Sequence, residues 1–388
     1  AVLTIEGNTI TKRPVYAHVV NDNVTKTYNA KKDVIDESGA ALLGDKLVKF
    51  DNVKNGVAQA EAGLIGADKL GNDTTASYTE KKVGDKDRTI KYTLALKGSA
   101  ALINNYELQD ENGVAAATLT THTNTINRRA LRLKAEDVTK EFDDTTEVKV
   151  SGTPSTTNAG LSFVGGDKQG SDTVDLDTTY TRVYKSKAAT RTEEKKKNNV
   201  IYHGIKLTGA DAENYYLADS TGKNKLELDA TTTDTNDFTM LGYGEITPLS
   251  VTANRFKLNF KANPIRKTYD GTANVGVGDA TYNQPANLEG YIESAYVTKA
   301  DGVTKLFDIA IDKVNSATYR TGVAAGSDGT ADKNAADGKK VLFNIKFSDA
   351  DQNNFEFDSD FYSGSAGTDR MLRGDDGSST YNVYATGD

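Results

Sequence analysis

One short pattern occurs three times in the chain and sets the register for everything else. The strongest copy is Lys267-Thr268-Tyr269-Asp270-Gly271-Thr272, and weaker copies are Lys26-Thr27-Tyr28-Asn29-Ala30 and Lys140-Glu141-Phe142-Asp143-Asp144. Each copy has an aromatic residue two positions after a lysine, followed by Asn or Asp, residue types that bond to their own backbone in turns. The pattern therefore predicts the aromatic end of a strand followed by a tight turn.

A second landmark follows each copy at a similar distance. It is a strand of alternating apolar residues, and then a polar turn that closes with Asn and an aromatic residue. The strands are predicted at residues 90–96, 201–207 and 341–347, and the closing pairs are Asn105-Tyr106, Asn214-Tyr215 and Asn354-Phe355. Their predicted inward faces are Ile90/Tyr92/Leu94/Leu96, Ile201/His203/Ile205/Leu207 and Val341/Phe343/Ile345/Phe347.

These landmarks divide the chain into three units of domain size. We expect an N-terminal strand at residues 1–8 and repeat units at residues 9–124, 125–245 and 246–388. Abundant Thr, Asp and Asn, with only 5 prolines, favour many short strands joined by polar turns. We therefore predict an all-β protein whose three tandem sandwich-like or stacked-sheet units form an elongated rod.

Six aromatic residues are predicted to anchor the three units as structural rings. They are Tyr28, Phe142, Tyr269, Tyr106, Tyr215 and Phe355. A lysine precedes three of these rings, and its simplest interpretation is an exposed strand lysine beside an aromatic residue. An alternative for Lys26, Lys140 and Lys267 is an isopeptide crosslink to Asn or Asp, which requires a buried lysine beside a carboxyl group.

Composition narrows the classes of function. The absence of cysteine excludes disulfides, thiolate metal sites and cysteine nucleophiles. A net charge of −8 argues against a nucleic-acid partner, because nothing concentrates positive charge on one segment. No apolar run is long enough to span a membrane, and no catalytic motif is present, so we do not expect an enzyme.

Calcium is the one cofactor for which the sequence carries a signal, and that signal is weak. Asp349, Asp351 and Asn353 place oxygen ligands at alternate positions, as hard-cation loops do. The segment lacks the later glutamate and the central glycine of such a loop. The corresponding turns of the other two units form without these carboxylates, so the sequence predicts no required cofactor.

Three segments carry a family resemblance. Lys267-Thr268-Tyr269-Asp270-Gly271-Thr272, Gly329-Thr330-Ala331-Asp332-Lys333-Asn334 and Leu207-Thr208-Gly209-Ala210-Asp211-Ala212-Glu213-Asn214-Tyr215 resemble the YDG repeat domains and the related mostly-beta, glycine-rich (MBG) domains. Those domains occur in tandem in large secreted and surface-attached bacterial proteins, including haemagglutinin-like adhesins. The resemblance implies an extracellular location at the bacterial surface, and it implies no catalytic residues.

Together, these observations predict a structural surface fibre or adhesin stalk. The alternative is a ligand-binding adhesin module that recognises a glycan or a host protein through loops such as residues 322–338. The predicted N-terminal strand is either the end of a preceding repeat or a donor strand. In the second case Val2, Leu3 and Ile5 would add to a sheet edge of a neighbouring molecule and produce head-to-tail assembly.

Overall fold

A computed structural model describes residues 7, 9–150, 153–154, 160–230, 237–252, 255–261, 265–322, 329–357, 360–363, 369–373 and 380–385. Strands dominate this part of the chain, and its α-helices are only four to six residues long. The protein is therefore all-β, as the composition and the alternating segments predict.

The first predicted unit forms two main sheets. Its strands are β1 (Arg13–Val19), β2 (Thr25–Thr27), β3 (Val48–Asp51), β4 (Val53–Lys54), β5 (Val57–Ala58), β6 (Gly71–Asn72), β7 (Thr75–Tyr78), β8 (Gly84–Thr93), β9 (Leu96–Lys97), β10 (Tyr106–Gln109) and β11 (Thr118–Asn127). Helix α1 (Ala100–Ile103) and 3-10 turns at Gly44–Lys46 and Gly66–Asp68 lie between them. The sheet orders are β10-β1-β3 and β2-β11-β8-β7.

The second predicted unit has shorter strands. They are β12 (Arg129–Ala135), β13 (Val138–Glu141), β14 (Lys149–Val150), β15 (Thr153–Pro154), β16 (Leu161–Phe163), β17 (Asp175–Leu176), β18 (Thr181–Tyr184), β19 (Val200–Ile205), β20 (Leu207–Thr208), β21 (Tyr215–Ala218), β22 (Glu227–Leu228), β23 (Phe238–Gly242) and β24 (Gly244–Thr247). Helix α2 (Glu193–Lys196) and a 3-10 turn at Ala212–Asn214 complete it.

The third predicted unit contains the largest sheet. Its strands are β25 (Leu249–Val251), β26 (Phe256–Phe260), β27 (Ile292–Thr298), β28 (Lys305–Asp308), β29 (Ile311–Thr321), β30 (Thr330–Ala331), β31 (Lys340–Phe347), β32 (Phe355–Phe357), β33 (Asp360–Ser363), β34 (Asp369–Arg373) and β35 (Thr380–Ala385). Helix α3 (Asp349–Asn354) and 3-10 turns at Ala280–Tyr282 and Glu289–Tyr291 connect them. The six-stranded sheet has the order β30-β29-β31-β35-β34-β33.

Two parallel strand pairings recur along the chain. The first strand of each predicted unit pairs with the strand that starts at the closing aromatic residue: Arg13 with Tyr106, Arg129 with Tyr215, and Leu249 with Phe355. The second pairing joins the strand that carries the lysine to the strand at the start of the next predicted unit. Lys26 in β2 lies opposite Ile126 in β11, and Lys140 in β13 lies opposite Ile246 in β24. Parallel pairing needs a long crossover, which brings residues far apart in sequence to one edge.

The chain divides into two compact units with interleaved segments. The first comprises Ala1–Ala135, Gly160–Tyr180 and His203–Met240, and the second comprises Glu136–Ala159, Thr181–Tyr202 and Leu241–Asp388. The second predicted unit, residues 125–245, thus contributes to both. The division into three consecutive repeats remains a prediction.

Each compact unit has its own aromatic and aliphatic core. The predicted inward face of residues 90–96 is buried in the first unit, with no member more than 8% exposed. Leu96 packs with Val15 and Tyr106. The other three members pack with residues from several segments: Ala17, Val24, Tyr28, Val48, Tyr78, Ile126, Leu131, Val174 and Tyr215. In the second unit the predicted face Val341/Phe343/Ile345/Phe347 is also buried, and Phe256 packs edge-on against Phe347.

The predicted inward face of the middle strand is wrong at its first two positions, Ile201 and His203, and right at Ile205. In β19, Val200, Tyr202 and Ile205 are buried, whereas Ile201 and His203 are half-buried. The buried set is displaced by one residue at the start of the strand, and Gly204, with φ +71°, interrupts the two-residue alternation before Ile205. The His203 Nδ1 atom lies 3.2 Å from Asp229 Oδ2, so this ring has a carboxylate partner rather than a place in the core.

Candidate functional site

The first anchor lysine is enclosed by its own turn. Lys26 Nζ donates to Asn29 Oδ1 at 3.1 Å, to the Lys31 carbonyl at 2.7 Å and to Asp33 Oδ1 at 2.9 Å. It also lies 4.9 Å from the ring centre of Tyr78, within cation–π range. Burial lowers the pKa of Lys26 below its usual value, although the hydrogen bond and charge of Asp33 oppose this shift. The ammonium group thus holds the turn closed.

The second lysine has the same arrangement. Lys140 Nζ donates to Asp143 Oδ1 at 2.6 Å and to the carbonyl of Thr145 at 2.7 Å, and it lies 5.1 Å from the ring centre of Tyr184. Its acceptors therefore stand three and five residues after the lysine, as they do after Lys26. Repetition of this geometry shows that the sequence pattern encodes a specific turn.

The third lysine repeats the turn at a more exposed place. Lys267 Nζ donates to Asp270 Oδ1 at 2.7 Å and to the Thr272 carbonyl at 2.8 Å, and it lies 5.8 Å from the ring centre of Tyr319. The hydrogen bond from Lys267, together with those from Thr272, lowers the pKa of Asp270 to about 2.

The interpretation of the anchor lysines as exposed strand residues is wrong for Lys26 and Lys140, which are buried. Lys26 is 5% exposed and Lys140 is 7% exposed. Burial is tolerated because oxygen acceptors and an aromatic ring replace the water around each ammonium group. The side chains that an isopeptide crosslink would join, such as Lys26 and Asn29, are in hydrogen-bond contact.

A buried carboxylate connects two of the anchor rings. Tyr28 Oη and Tyr215 Oη both donate to Asp172 Oδ2 at 2.7 Å, and Lys81 Nζ lies 3.4 Å from Asp172 Oδ1. The rings of Tyr28 and Tyr215 meet edge to face at 5.4 Å between centroids. The backbone N–H of Gln169 donates to Tyr215 Oη at 2.9 Å. The anchor of the first predicted unit is therefore bound to the closing residue of the second.

The network also fixes the protonation of its members. Burial would raise the pKa of Asp172, but the hydrogen bonds from Tyr215 and Tyr28 and the charge of Lys81 outweigh it and lower this pKa. Burial raises the pKa of Tyr215 to about 12, with a further contribution from Asp172. At neutral pH the site is thus an ionised carboxylate bound by two neutral phenols.

The next pair of anchors has the same relationship without the hydroxyl groups. The rings of Phe142 and Phe355 meet edge to face at 5.5 Å, and Phe307 packs against both. The asparagines before Tyr215 and Phe355 each accept a backbone bond: Asn214 Oδ1 from Val83 N at 3.1 Å, and Asn354 Oδ1 from Ala189 N at 3.0 Å.

The six predicted anchors therefore fall into two groups. Tyr28, Phe142, Tyr106, Tyr215 and Phe355 are at most 5% exposed. Tyr269 is 61% exposed, although its turn is built like the other two. Tyr28 and Phe142 differ from Tyr269 because a closing aromatic residue packs on each of them, Tyr215 on Tyr28 and Phe355 on Phe142.

The candidate calcium ligands have other partners. Asp351 Oδ2 accepts from Ser348 Oγ and from the Ala310 backbone N–H, and Asn353 Nδ2 donates to the carbonyl of Ala189. Asp349 lies 3.2 Å from Lys346 Nζ. The three side chains belong to helix α3, where they cap and connect elements. Among the described residues, no group of three or more His, Cys, Asp or Glu side chains is placed to hold a metal ion.

Two predicted interaction segments can be located only in part. The assembly strand with Val2, Leu3 and Ile5 lies outside the described residues, as do residues 323–328 of the loop 322–338. Within the described part of the chain, no helix is long and apolar enough to cross a membrane.

The acidic partner of the closing tyrosines was missed by sequence reasoning. Asp172 follows Gly170-Ser171, and Asp68, which binds Tyr106, follows Gly66-Ala67. A shared Gly-small-Asp pattern was therefore present as a signal. The tyrosines beneath the lysines carried a weaker signal, since their spacing from the lysine is 52 residues in the first and third copies but 44 in the second.

Comparison with known proteins identifies one domain. Residues 127–222 match the YDG domain, a β-rich domain. The match falls within the second predicted unit and includes Phe142 and Tyr215. Neither the curated proteins nor the solved structures that were compared with the chain match it.

Proposed function

We propose that this chain is a structural part of an extracellular bacterial surface fibre or adhesin stalk, built of three tandem β repeats. One observation carries the proposal. The closing aromatic residue of one predicted repeat is buried against the anchor ring of the repeat before it, Tyr215 on Tyr28 and Phe355 on Phe142.

Shared burial gives the proposed repeats mechanical continuity. Where successive repeats share a core, separating them exposes apolar rings and takes the Tyr28 hydroxyl group from the Asp172 carboxylate. The asparagine bonds to Val83 and Ala189 add polar contacts at the same places. A stalk requires such junctions, because its strength is that of its weakest connection between repeats.

The sequence match to the YDG domain also supports the proposal. It covers most of one proposed repeat, residues 127–222 of 125–245. Tandem repetition at the bacterial surface is what the resemblance to YDG and MBG domains implies. The absence of cysteine agrees with repeats stabilised by cores and sheet hydrogen bonds.

The alternative is a module that binds a glycan or a host protein through its loops. Such a site would need exposed aromatic side chains grouped together. Five of the six anchor rings are instead buried in cores. The anchors therefore favour the stalk, and they assign no catalytic residue to the chain.

Labelling of intact bacteria tests this proposal. Antibodies raised against the folded chain should label projections outside the cells of the bacterium that produces it, as seen by immunogold electron microscopy. Antibodies first absorbed with the purified chain provide the control. Labelling confined to the cell interior would refute a surface fibre, and specific capture on a glycan array would favour the ligand-binding module.

A further inference from the structure

The first and second predicted repeats have the same acceptor site at their closing tyrosines. Tyr106 Oη donates to Asp68 Oδ2 and accepts from the Ile65 backbone N–H, as Tyr215 Oη does with Asp172 Oδ2 and the Gln169 backbone N–H. Each aspartate stands three residues after the N–H donor. The two sites are therefore structural equivalents.

The difference between them is the second tyrosine. At Asp172, Tyr28 donates to the same oxygen and completes the site. At Asp68, no second donor is present among the described residues, and the side chain is half-exposed. Asn105, the equivalent of Asn214, is exposed, and its side chain has no hydrogen-bond partner within the same described ranges. The surface around Asp68 is thus an acceptor site without its tyrosine.

A matching donor is exposed on the third predicted repeat. Tyr269 follows Lys267 as Tyr28 follows Lys26, with equivalent lysine bonds three and five residues on. Tyr28 is fully buried, whereas Tyr269 is 61% exposed. Its hydroxyl group has no partner in the part of the chain that the structure describes.

Both surfaces also have a backbone segment that could form a parallel strand pair. Ile126 and Ile246 lie opposite Lys26 and Lys140 in parallel pairing and are at most 1% exposed. The corresponding residue at the start of the first repeat, Ile10, is completely exposed. Residues 266–269, which carry Lys267, form no strand in the described structure.

We propose that two copies of this chain associate head to tail by reproducing the internal junction. Ile10 of one copy pairs in parallel opposite Lys267 of the other, and the Thr11 carbonyl accepts from the Tyr269 backbone N–H, as the Asn127 carbonyl accepts from Tyr28. The Tyr269 ring then covers Tyr106, and its hydroxyl group donates to Asp68. The contact is heterologous, so it extends into a filament or closes into a ring.

This inference rests on the proposed repeat function and names its partner as a second copy. It differs from assembly through Val2, Leu3 and Ile5, because the contacts involve residues 10–11 and the site around Asp68. Ile10 and Tyr269 supply exposed apolar surface and Asp68 supplies a hydrogen-bond acceptor, which suits a specific association of moderate affinity.

Two blocked variants of the full chain test the proposal. Ile10→Asp disables one surface and Tyr269→Ala disables the other, and both residues are exposed, so folding should be retained. In sedimentation velocity over a concentration series, wild type should form species larger than a dimer, and each variant should bind itself at least tenfold more weakly, a change of about 1.4 kcal/mol. An equimolar mixture of the two variants should form dimers and nothing larger, because only one intact pair of surfaces remains.

Matched controls make the outcome decisive. Val303→Asp changes another exposed side chain, 81% exposed, and should associate like wild type. Deletion of residues 1–6 should also leave association intact. A wild-type chain that stays monomeric at about millimolar concentration, the weak end of specific association, overturns the proposal. So does association that survives both substitutions but is lost on the deletion. Neither result affects the surface labelling that tests the stalk.

Discussion

Tyr28 and Tyr215 donate hydrogen bonds to one oxygen of Asp172, and both donor–acceptor distances are 2.7 Å. Their rings meet edge to face, so the same contact buries two aromatic side chains and satisfies a buried carboxylate. The hydrogen bonds and the ring packing at this contact therefore depend on each other. A substitution at either tyrosine should lower the stability of the whole compact unit.

Removing one hydroxyl group from this network should destabilise the protein. Tyr28→Phe keeps the ring but takes a donor from Asp172, so we expect the free energy of unfolding to fall by about 1–2 kcal/mol. Urea unfolding followed by circular dichroism measures this. Tyr216→Phe, at a half-buried neighbour of Tyr215, is the control and should change stability by less than about 0.5 kcal/mol. Equal effects would contradict the assigned role of Tyr28.

The same carboxylate should contribute to acid sensitivity. The folded-state pKa of Asp172 lies below its ordinary value of 3.8, so its stabilising effect is present above that value and is lost as pH falls through the folded pKa. Asp172→Asn should therefore be less stable than wild type at neutral pH, and the difference should shrink between about pH 5 and about pH 2. A difference that stays constant over this range would show that ionisation of Asp172 does not matter.

The anchor lysines should differ in importance according to burial. Lys26→Met removes an ammonium group whose side chain is only 1% exposed, and it takes one donor from the Lys31 carbonyl and one from the Asp33 carboxylate, so we expect a loss of about 3 kcal/mol. Lys267→Met removes equivalent bonds beside the 53% exposed side chain of Asp270, and we expect about 1 kcal/mol. Thermal unfolding of both variants checks the order, and a larger loss for Lys267→Met would contradict it.

Two glycines with positive φ should respond differently to alanine. A Cβ atom at Gly209, with φ +108°, would lie 2.3 Å from the carbonyl oxygen of Thr173, whereas at Gly271, with φ +80°, it would meet nothing within 4 Å. Gly271→Ala should therefore cost about 1 kcal/mol from backbone strain alone. Gly209→Ala should cost about 3 kcal/mol or more, since the clash is with backbone. Chemical denaturation of both variants measures the two costs, and equal values would refute the steric argument.

Calcium should not change stability through helix α3. Asp351 and Asn353 bind the protein itself, and Asp349 pairs with a lysine. Melting temperatures with excess calcium and with chelator should therefore agree. If calcium raises the melting temperature, and Asp351→Asn abolishes that rise, the helix is a cation site after all.

Several features of the fold followed directly from local sequence. Alternating residues at 90–96 and 341–347 predicted their buried faces, because a strand has a fixed two-residue period. Local reasoning failed in β19, where Gly204 interrupts this period. Local reasoning also predicted that the lysines are exposed, because the acceptors and the ring that enclose Lys26 become neighbours only after folding.

The sequence by itself determined the all-β class, the three copies of the lysine turn and most of the anchor rings, since each depends on residues within a few positions of one another. Tertiary structure alone decided which rings are covered. Tyr28 and Tyr269 follow the same kind of turn, yet one is buried and the other is 61% exposed. The reason is that burial requires a distant partner, and Tyr215 with Asp172 reaches Tyr28 through parallel pairing, whereas no described residue of this chain reaches Tyr269 in that way.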